Sequence, residues 1–282
     1  MPEERIQKVL SRWGIASRRE AERMLRERRI TVNGRLVTEP GTKIDPGRDH
    51  VKVDGKLVRP PRGPRTYLVA FKPREMITSL HDPEGRPTIA DLLRRARVRR
   101  RVFPVGRLDW DADGLLLLTD DGELAHRVMH PRTHLPKVYL VKVKGHPADR
   151  ALDRVRRGVV LERRVRTLPA EVTVERAGQN ATWLRVTLVE GRQNQLKRMF
   201  ARVGHPVRKI RRIALGPLRL GKMRIGEVRP LSPAEVRRLR EAVGLPAGEA
   251  APARRRGRTG GRPGGQAESQ ERKRLDRAAR GL

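Results

Sequence analysis

Carboxylates crowd one stretch of the chain, Val105-Gly-Arg-Leu-Asp109-Trp-Asp111-Ala-Asp113-Gly114-Leu-Leu-Leu-Leu-Thr119-Asp120. Acids at this spacing suit two chemistries. As a metal loop, Asp109, Asp111, Asp113 and Asp120 take the ligand positions of the calcium-binding pattern and Gly114 its sharp turn. Against that, Pro104 and Gly106 stand where an incoming helix is required, and four leucines fill positions that should be polar. As a strand and turn, the leucines form a buried β-strand, and Gly106-Arg107-Leu108-Asp109 is a loop holding one acid at its mouth. The second reading is preferred, and no metal site is expected.

Little else in the sequence competes for chemistry. The chain has no cysteine, which excludes disulfides, thiolate zinc sites and cysteine nucleophiles. Gly216-Pro-Leu-Arg-Leu-Gly221-Lys222 has phosphate-loop spacing, but Met223 replaces the magnesium-binding hydroxyl and no helix-forming run follows. His126, His130 and His134 recur every fourth residue, yet Pro131 ends the helix that would align them at His130. No cofactor is expected.

The loop must be held by a larger body. From Thr66 to about Gly244, apolar strand-like runs at 67–71, 115–118, 138–143 and 183–189 are separated by helical stretches. This is the pattern of an α+β domain on a mixed or antiparallel sheet, assigned to residues 66–244. Residues 1–59 form a smaller α/β module. In it Ile6, Val9 and Leu10 mark a first helix stopped at Gly14. Ser17-Arg-Arg-Glu20 fits a capping box that opens a second, with Ala21, Met24 and Leu25 as its apolar stripe. Asn33-Gly34 and Asp54-Gly55, each flanked by alternating apolar residues, signal hairpins. Arg18, Arg19, Arg26, Arg28 and Arg29 line the helices, and Arg59-Pro-Pro-Arg-Gly-Pro-Arg65 reads as a stiff linker. Residues 245–282 are basic and too poor in apolar groups to offset the entropy of ordering, so a disordered tail is expected.

Over 282 residues, 66 Lys and Arg stand against 32 Asp and Glu, a net charge of +34. Such a balance requires a polyanionic partner without saying which one. The sequence has neither an apolar run long enough to span a bilayer nor a secretory leader, so a cytoplasmic protein with no membrane partner is expected.

The module's wording, RIQKVLSRWGIASRREAERMLRERRITVNGRLV, resembles the S4 RNA-binding domain, which lays a basic helical face on structured RNA. GRLDWDADGLLLLTDDGELAHRVMHP resembles the RsuA/RluB group of ribosomal pseudouridine synthases. That resemblance implies Asp109 as the catalytic carboxylate and Arg107 as a loop arginine that supports RNA engagement. The family's asparagine before Asp-Gly is Asp120 here, expected to cap the following helix. Tyr139, in Lys137-Val-Tyr139-Leu-Val-Lys, is implied to stack on the target base and to take part in proton transfer. Glu190-Gly-Arg192-Gln-Asn-Gln195-Leu-Lys197-Arg198-Met resembles the family's EGRxxQ element, whose basic residue after the aliphatic pairs with the catalytic carboxylate. That residue is Lys197, with Arg192 and Arg198 as rival partners. Arg107, Arg18, Arg19, Arg26, Arg192 and Arg198 are the expected RNA contacts. The stretch from His205 to Leu218 resembles the strand beneath the family's active site, and the likeness runs to about Ser232.

The implied reaction is cofactor-free isomerisation of a uridine to pseudouridine in ribosomal RNA, with the base flipped out of its stack. Residue types permit Asp109 either to attack the sugar or to remove a proton. The amino-terminal module and long tail look more like the large-subunit rRNA type, with ribosomal RNA or a pre-ribosomal particle as partner and a monomer as the active form. A non-catalytic ribosome-assembly or RNA-chaperone protein would use the same module, arginines and tail, but it leaves GRLD, Tyr139 and EGRQNQLKRM without a purpose.

Overall fold

Four consecutive leucines can all be buried only if both faces of their strand are covered, because successive side chains point to opposite sides. Strand Ala112–Thr119 meets that condition and is buried along its whole length. Leu115 and Leu117 join Val69, Phe71, Val105 and Leu124 on one face, while Leu116 and Leu118 join Leu68, Ala70, Ile89 and Leu92 on the other. Each buried leucine contributes about 1.5–3 kcal/mol, which makes this strand the anchor of the larger domain.

The computed structural model describes residues 3–61, 63–161 and 165–247. The amino-terminal module contains β1 (Glu4–Arg5), α1 (Ile6–Arg12), α2 (Arg18–Arg26), β2 (Ile30–Val32), β3 (Arg35–Leu36), β4 (Lys43–Ile44), β5 (Val51–Val53) and β6 (Lys56–Leu57). Ile6, Val9, Leu10, Leu25, Ile30 and Val51 form its own core. Asn33-Gly34 and Asp54-Gly55 both take positive φ, as two-residue hairpin turns demand. Ser17 caps α2 by accepting from Glu20 N at 3.1 Å, but only half of the expected capping box forms. The Glu20 carboxylate accepts from Arg23 at 2.7 Å instead of returning to the cap.

The larger domain runs β7 (Tyr67–Lys72), α3 (Ile89–Arg95), β8 (Phe103–Val105), β9 (Ala112–Thr119), α4 (Gly122–Met129), β10 (Lys137–Lys144), α5 (Asp149–Arg156), β11 (Glu171–Ala177), β12 (Ala181–Leu188), α6 (Gln195–Arg202), β13 (Val207–Leu215), β14 (Leu218–Arg219), β15 (Val228–Pro230) and α7 (Pro233–Ala242). Its sheet has the order β11-β12-β10-β13-β9-β7-β15, with β14 beside β13 and β8 beside β9. Every pairing is antiparallel except β13 with β9, so the sheet is mixed. The domain is α+β, as the sequence pattern indicates.

One local expectation needs correction. Asp121, not Asp120, caps α4, accepting from Glu123 N and Leu124 N at 3.1 Å. Asp120 turns the other way and accepts from Thr66 N at 2.8 Å. Leu245, just past α7, is buried with Leu239 and Val243. The expected disordered tail lies, from residue 248 onward, outside the described residues.

Candidate active site

Asp109 sits in the loop between β8 and β9, and the loop backbone is held by the segment that follows β7. Thr78 Oγ1 donates to Leu108 O at 2.6 Å and accepts from Leu108 N at 3.2 Å. The Lys72 ammonium donates to the carbonyls of Pro73 (2.9 Å), Asp109 (3.2 Å) and Ala112 (2.9 Å). Glu75 N donates to Trp110 O at 2.8 Å, and Arg74 Nε to Asp111 O at 3.1 Å. The carbonyls of residues 108 to 112 therefore all have partners in the segment 72–78, a complete accounting for the main-chain acceptors of this loop. Buried Leu108 pins the loop into the core beneath α6. The Asp109 side chain is half-buried and makes no hydrogen bond or ion pair with any described residue.

The neighbouring acids do not share its situation. Asp111 Oδ1 accepts from Lys197 Nζ at 2.6 Å, and Asp113 receives a forked pair of bonds from Arg211 at 2.7 and 3.0 Å. The pairing of Lys197 with Asp109 is thus corrected: the lysine is spent on the acid two residues along. Arg192 is not a partner of Asp109 either, because its Nε bonds Glu190 at 2.9 Å. Glu190 also accepts from Gln195 Nε2 at 2.7 Å and from Leu168 N at 2.9 Å. The EGRQNQ element therefore braces its own loop and fixes the start of α6. Asp111, Asp113 and Asp120 of the calcium-like pattern point to separate partners, and among the described residues no group of three His, Cys, Asp or Glu is placed to hold a metal ion. The rings of His126 and His130 lie 5.3 Å apart, while His134 follows a short 3-10 turn at Pro131–Thr133 and leaves the helical row.

One register row brings the remaining site residues together across four strands. Tyr139 in β10 is opposite Arg212 in β13, Arg212 is opposite Gly114 in β9, and Gly114 is opposite Lys72 in β7. A register shift in the β10–β13 pairing falls beside Tyr139, at a place where bulges commonly re-aim a side chain toward a site. Tyr139 packs on the core that holds Leu108 and Ala112, and its hydroxyl has no hydrogen bond among the described residues. Arg212 is only 3 % exposed; its Nε donates to Leu115 O at 2.8 Å, and its Nη2 is buried without a partner. Lys137, at the start of β10, has its ammonium pKa lowered by burial and by the charge of Arg212.

Lys72 and Arg212 were not read as site residues from the sequence. The only signal for Lys72 is a charge closing an otherwise apolar strand ahead of Pro73; for Arg212 it is alternation with Ile210 and Ala214. Burial pushes the Lys72 ammonium down to about 8 from an ordinary 10.5, and attraction from Asp113, Asp109 and Asp111 works the other way. In the unfolded chain the same amine keeps its proton to its ordinary pKa. Between pH 8 and 10 the unfolded state thus binds the extra proton, and the Lys72 contribution to stability rises with pH. Denaturant titrations of wild type against Lys72→Met are expected to show the difference moving in favour of the wild type by up to about 2 kcal/mol over that window. A difference that does not change with pH would show that the ammonium is not confined as described.

The arginines of the basic helical cluster and the expected RNA contacts differ in how far they are already paired. Arg107 in the loop and Arg18, Arg19 and Arg26 on α2 are exposed and free of ion pairs among the described residues. Arg29, by contrast, is taken by Asp54 (2.7 and 2.8 Å) and Glu27 (3.1 Å). Arg198 is half-buried on α6. The two domains meet where Arg101 Nη1 donates to Gly14 O at 3.3 Å.

Comparison with known proteins defines the class. Residues 66–202 match the RNA pseudouridylate synthase family and residues 4–49 match the S4 domain. The chain is 44% identical over 246 residues to an RNA pseudouridine synthase of Aquifex aeolicus, an alignment covering 87% of this chain and 97% of the relative. It is 40% identical over 240 residues to the ribosomal large subunit pseudouridine synthase B of Bacillus subtilis, covering 84% and 96%. A crystal structure of a pseudouridylate synthase superposes with a TM-score of 0.59 at 28% identity, over 84% of this chain and 99% of that one. The chain belongs to the RNA pseudouridine synthase family, in the branch that carries an amino-terminal S4 domain, and it is an enzyme. Among the described residues no helix is long and apolar enough to cross a membrane.

Proposed function

We propose that the chain isomerises a uridine of large-subunit ribosomal RNA, free or in a pre-ribosomal particle, with Asp109 as the reacting carboxylate and no cofactor. The observation that carries this reading is the single unpaired carboxylate, Asp109, on a loop whose five successive carbonyls are bound, beside the Tyr139–Arg212–Gly114–Lys72 row. The name of the Bacillus subtilis relative supports the substrate class, and the charge of +34 supports a polyanionic partner.

In this reading the bond from C1′ to N1 breaks, the uracil turns, and C1′ bonds to C5; the C5 proton is released and N1 gains one, so the product is an isomer. The target lies inside stacked RNA and is flipped out to react. Tyr139 then offers a stacking surface, and Arg107 fills the vacated space. Asp109 either attacks C1′ or draws a proton from the ribose, and the same carboxylate serves both routes. Lys197, through Asp111, steadies the loop and does not react. Residues 1–59 hold the RNA through Arg18, Arg19 and Arg26, and residues 66–244 carry the chemistry with Arg198 as a further RNA contact. The enzyme works in the cytoplasm as a monomer.

The test uses rRNA tritiated at uracil C5, supplied as separated large- and small-subunit RNA and as pre-ribosomal particles. Carbon glycosylation frees the label to water. Release from large-subunit RNA or its particles is expected; release from small-subunit RNA alone would correct the substrate, and release from none would favour the assembly-factor reading.

A further inference from the structure

The sheet carries α5 and α6 on one face of its β11-β12-β10-β13 half, through the core of Val141, Val143, Leu184, Val186 and Ile210. Among the described residues no apolar core covers the opposite face there. In register across it stand Arg176 (β11), Trp183 (β12), Lys142 (β10) and Lys209 (β13). This is the reverse of the face that bears Tyr139 and Arg212, since Lys142 and Lys209 alternate with Val141 and Ile210.

Trp183, Lys142, Arg176 and Arg208 line a hollow of about 230 Å³ closed at one end by the turn at residues 178–181. Lys142 Nζ lies 5.9 Å from the Trp183 ring centroid, within the range of a cation–π contact. Among the described residues the hollow is lined by no acid. Lys142, Arg176, Arg208 and Lys209 make no ion pair among the described residues, whereas nearby Arg185 is neutralised by Glu175 at 2.9 Å. Unpaired cations are costly to gather on one bare sheet face unless an anion joins them. A half-buried indole framed by such cations is the combination that grips single-stranded nucleic acid, stacking one base while the cations track the phosphates.

We propose that this reverse face is a second RNA site, in which an unpaired nucleotide of the substrate RNA stacks on Trp183 and its phosphates lie along Lys142, Arg176, Arg208 and Lys209. The site is separate from the pocket that receives the reacting uridine and rests on the RNA-modifying reading given above. It would let the enzyme hold a strand that passes around the edge of the sheet.

The test is fluorescence of the full chain bearing Trp13→Phe and Trp110→Phe, so that Trp183 is the sole indole, titrated with oligouridylate. Quenching is expected, and Lys142→Ala with Arg208→Ala should shift the midpoint about tenfold at constant salt. RNA binding seen by anisotropy with no quenching would overturn the proposal. So would equal quenching by polyglutamate, which has no base to stack. To guard against misfolding of the double variant, the unaltered chain is irradiated with 4-thiouridine RNA; crosslinks are expected in peptides containing Trp183 or Lys142, and their absence would also overturn the site. Tritium release without quenching would sink this inference alone, and quenching without tritium release would sink only the synthase reading.

Discussion

Asp109→Asn is expected to abolish tritium release, lowering turnover by at least about 10⁴-fold, the order found when a reacting side chain is removed. The fold and RNA affinity are expected to survive, because the carboxylate holds no bond that the amide would break. The loop is positioned by its main-chain carbonyls, bound to Lys72, Arg74, Glu75 and Thr78, and asparagine keeps them all. Asp111→Asn is the informative companion. It weakens a partly exposed ion pair with Lys197, for which a loss of only about 0–1 kcal/mol is expected. Activity should fall several-fold as the loop loosens, with C5 release still measurable. The opposite pattern, an active Asp109→Asn and a dead Asp111→Asn, would move the reaction to the carboxylate that Lys197 holds, restoring the pairing that the sequence resemblance implies.

How much could be read beforehand depended on how local each signal was. The strand at β9 was legible because a run of apolar residues needs no knowledge of its neighbours, and the hairpins because Asn-Gly and Asp-Gly fix their own backbone. The loop that carries Asp109 was legible as a turn leading into β9, because Gly106 precedes it and the leucine run follows. Lys72 was not, since its three acceptors are backbone carbonyls, and a sequence displays no carbonyls. Asp113 reads as a loop acid, yet it is buried in β9 because Arg211, 98 residues away, reaches it. Alternation along β13 separates Arg211 from Arg212 only once the sheet is known: Arg211 lies over the Phe71 ring, 5.0 Å from its centroid, while Arg212 joins the site row. Lys197 was singled out by its place after the aliphatic residue of the EGRxxQ-like element, but position along one segment cannot choose between acids two residues apart on a facing loop. Asp120 and Asp121 show the same limit at a helix start, where boundaries are uncertain by a residue and either acid caps equally well.

Gly114→Ala is expected to be the most damaging single methyl in the domain. A Cβ built at Gly114 would lie 2.3 Å from Arg212 O and 2.6 Å from Arg212 N, and these are backbone atoms that cannot rotate aside. The φ of +120° is itself a conformation that side-chain-bearing residues avoid. Backbone strain and overpacking each cost about 1–3 kcal/mol, so a loss near 4 kcal/mol is expected in denaturant titrations. The strands have no easy way to part, because β9 is buried along its length and β13 is also paired with β10. Any separation would carry Arg212 and Tyr139 away from Lys72 and the Asp109 loop, so activity should fall even at temperatures where the variant is folded. Gly122→Ala serves as the control: it opens α4, meets nothing within 4 Å and has an ordinary φ, and it should be neutral or stabilising by up to about 1 kcal/mol. Should Gly114→Ala prove as mild as Gly122→Ala, β9 and β13 do not approach this closely in solution, and the row joining Tyr139 to Lys72 would lose its basis.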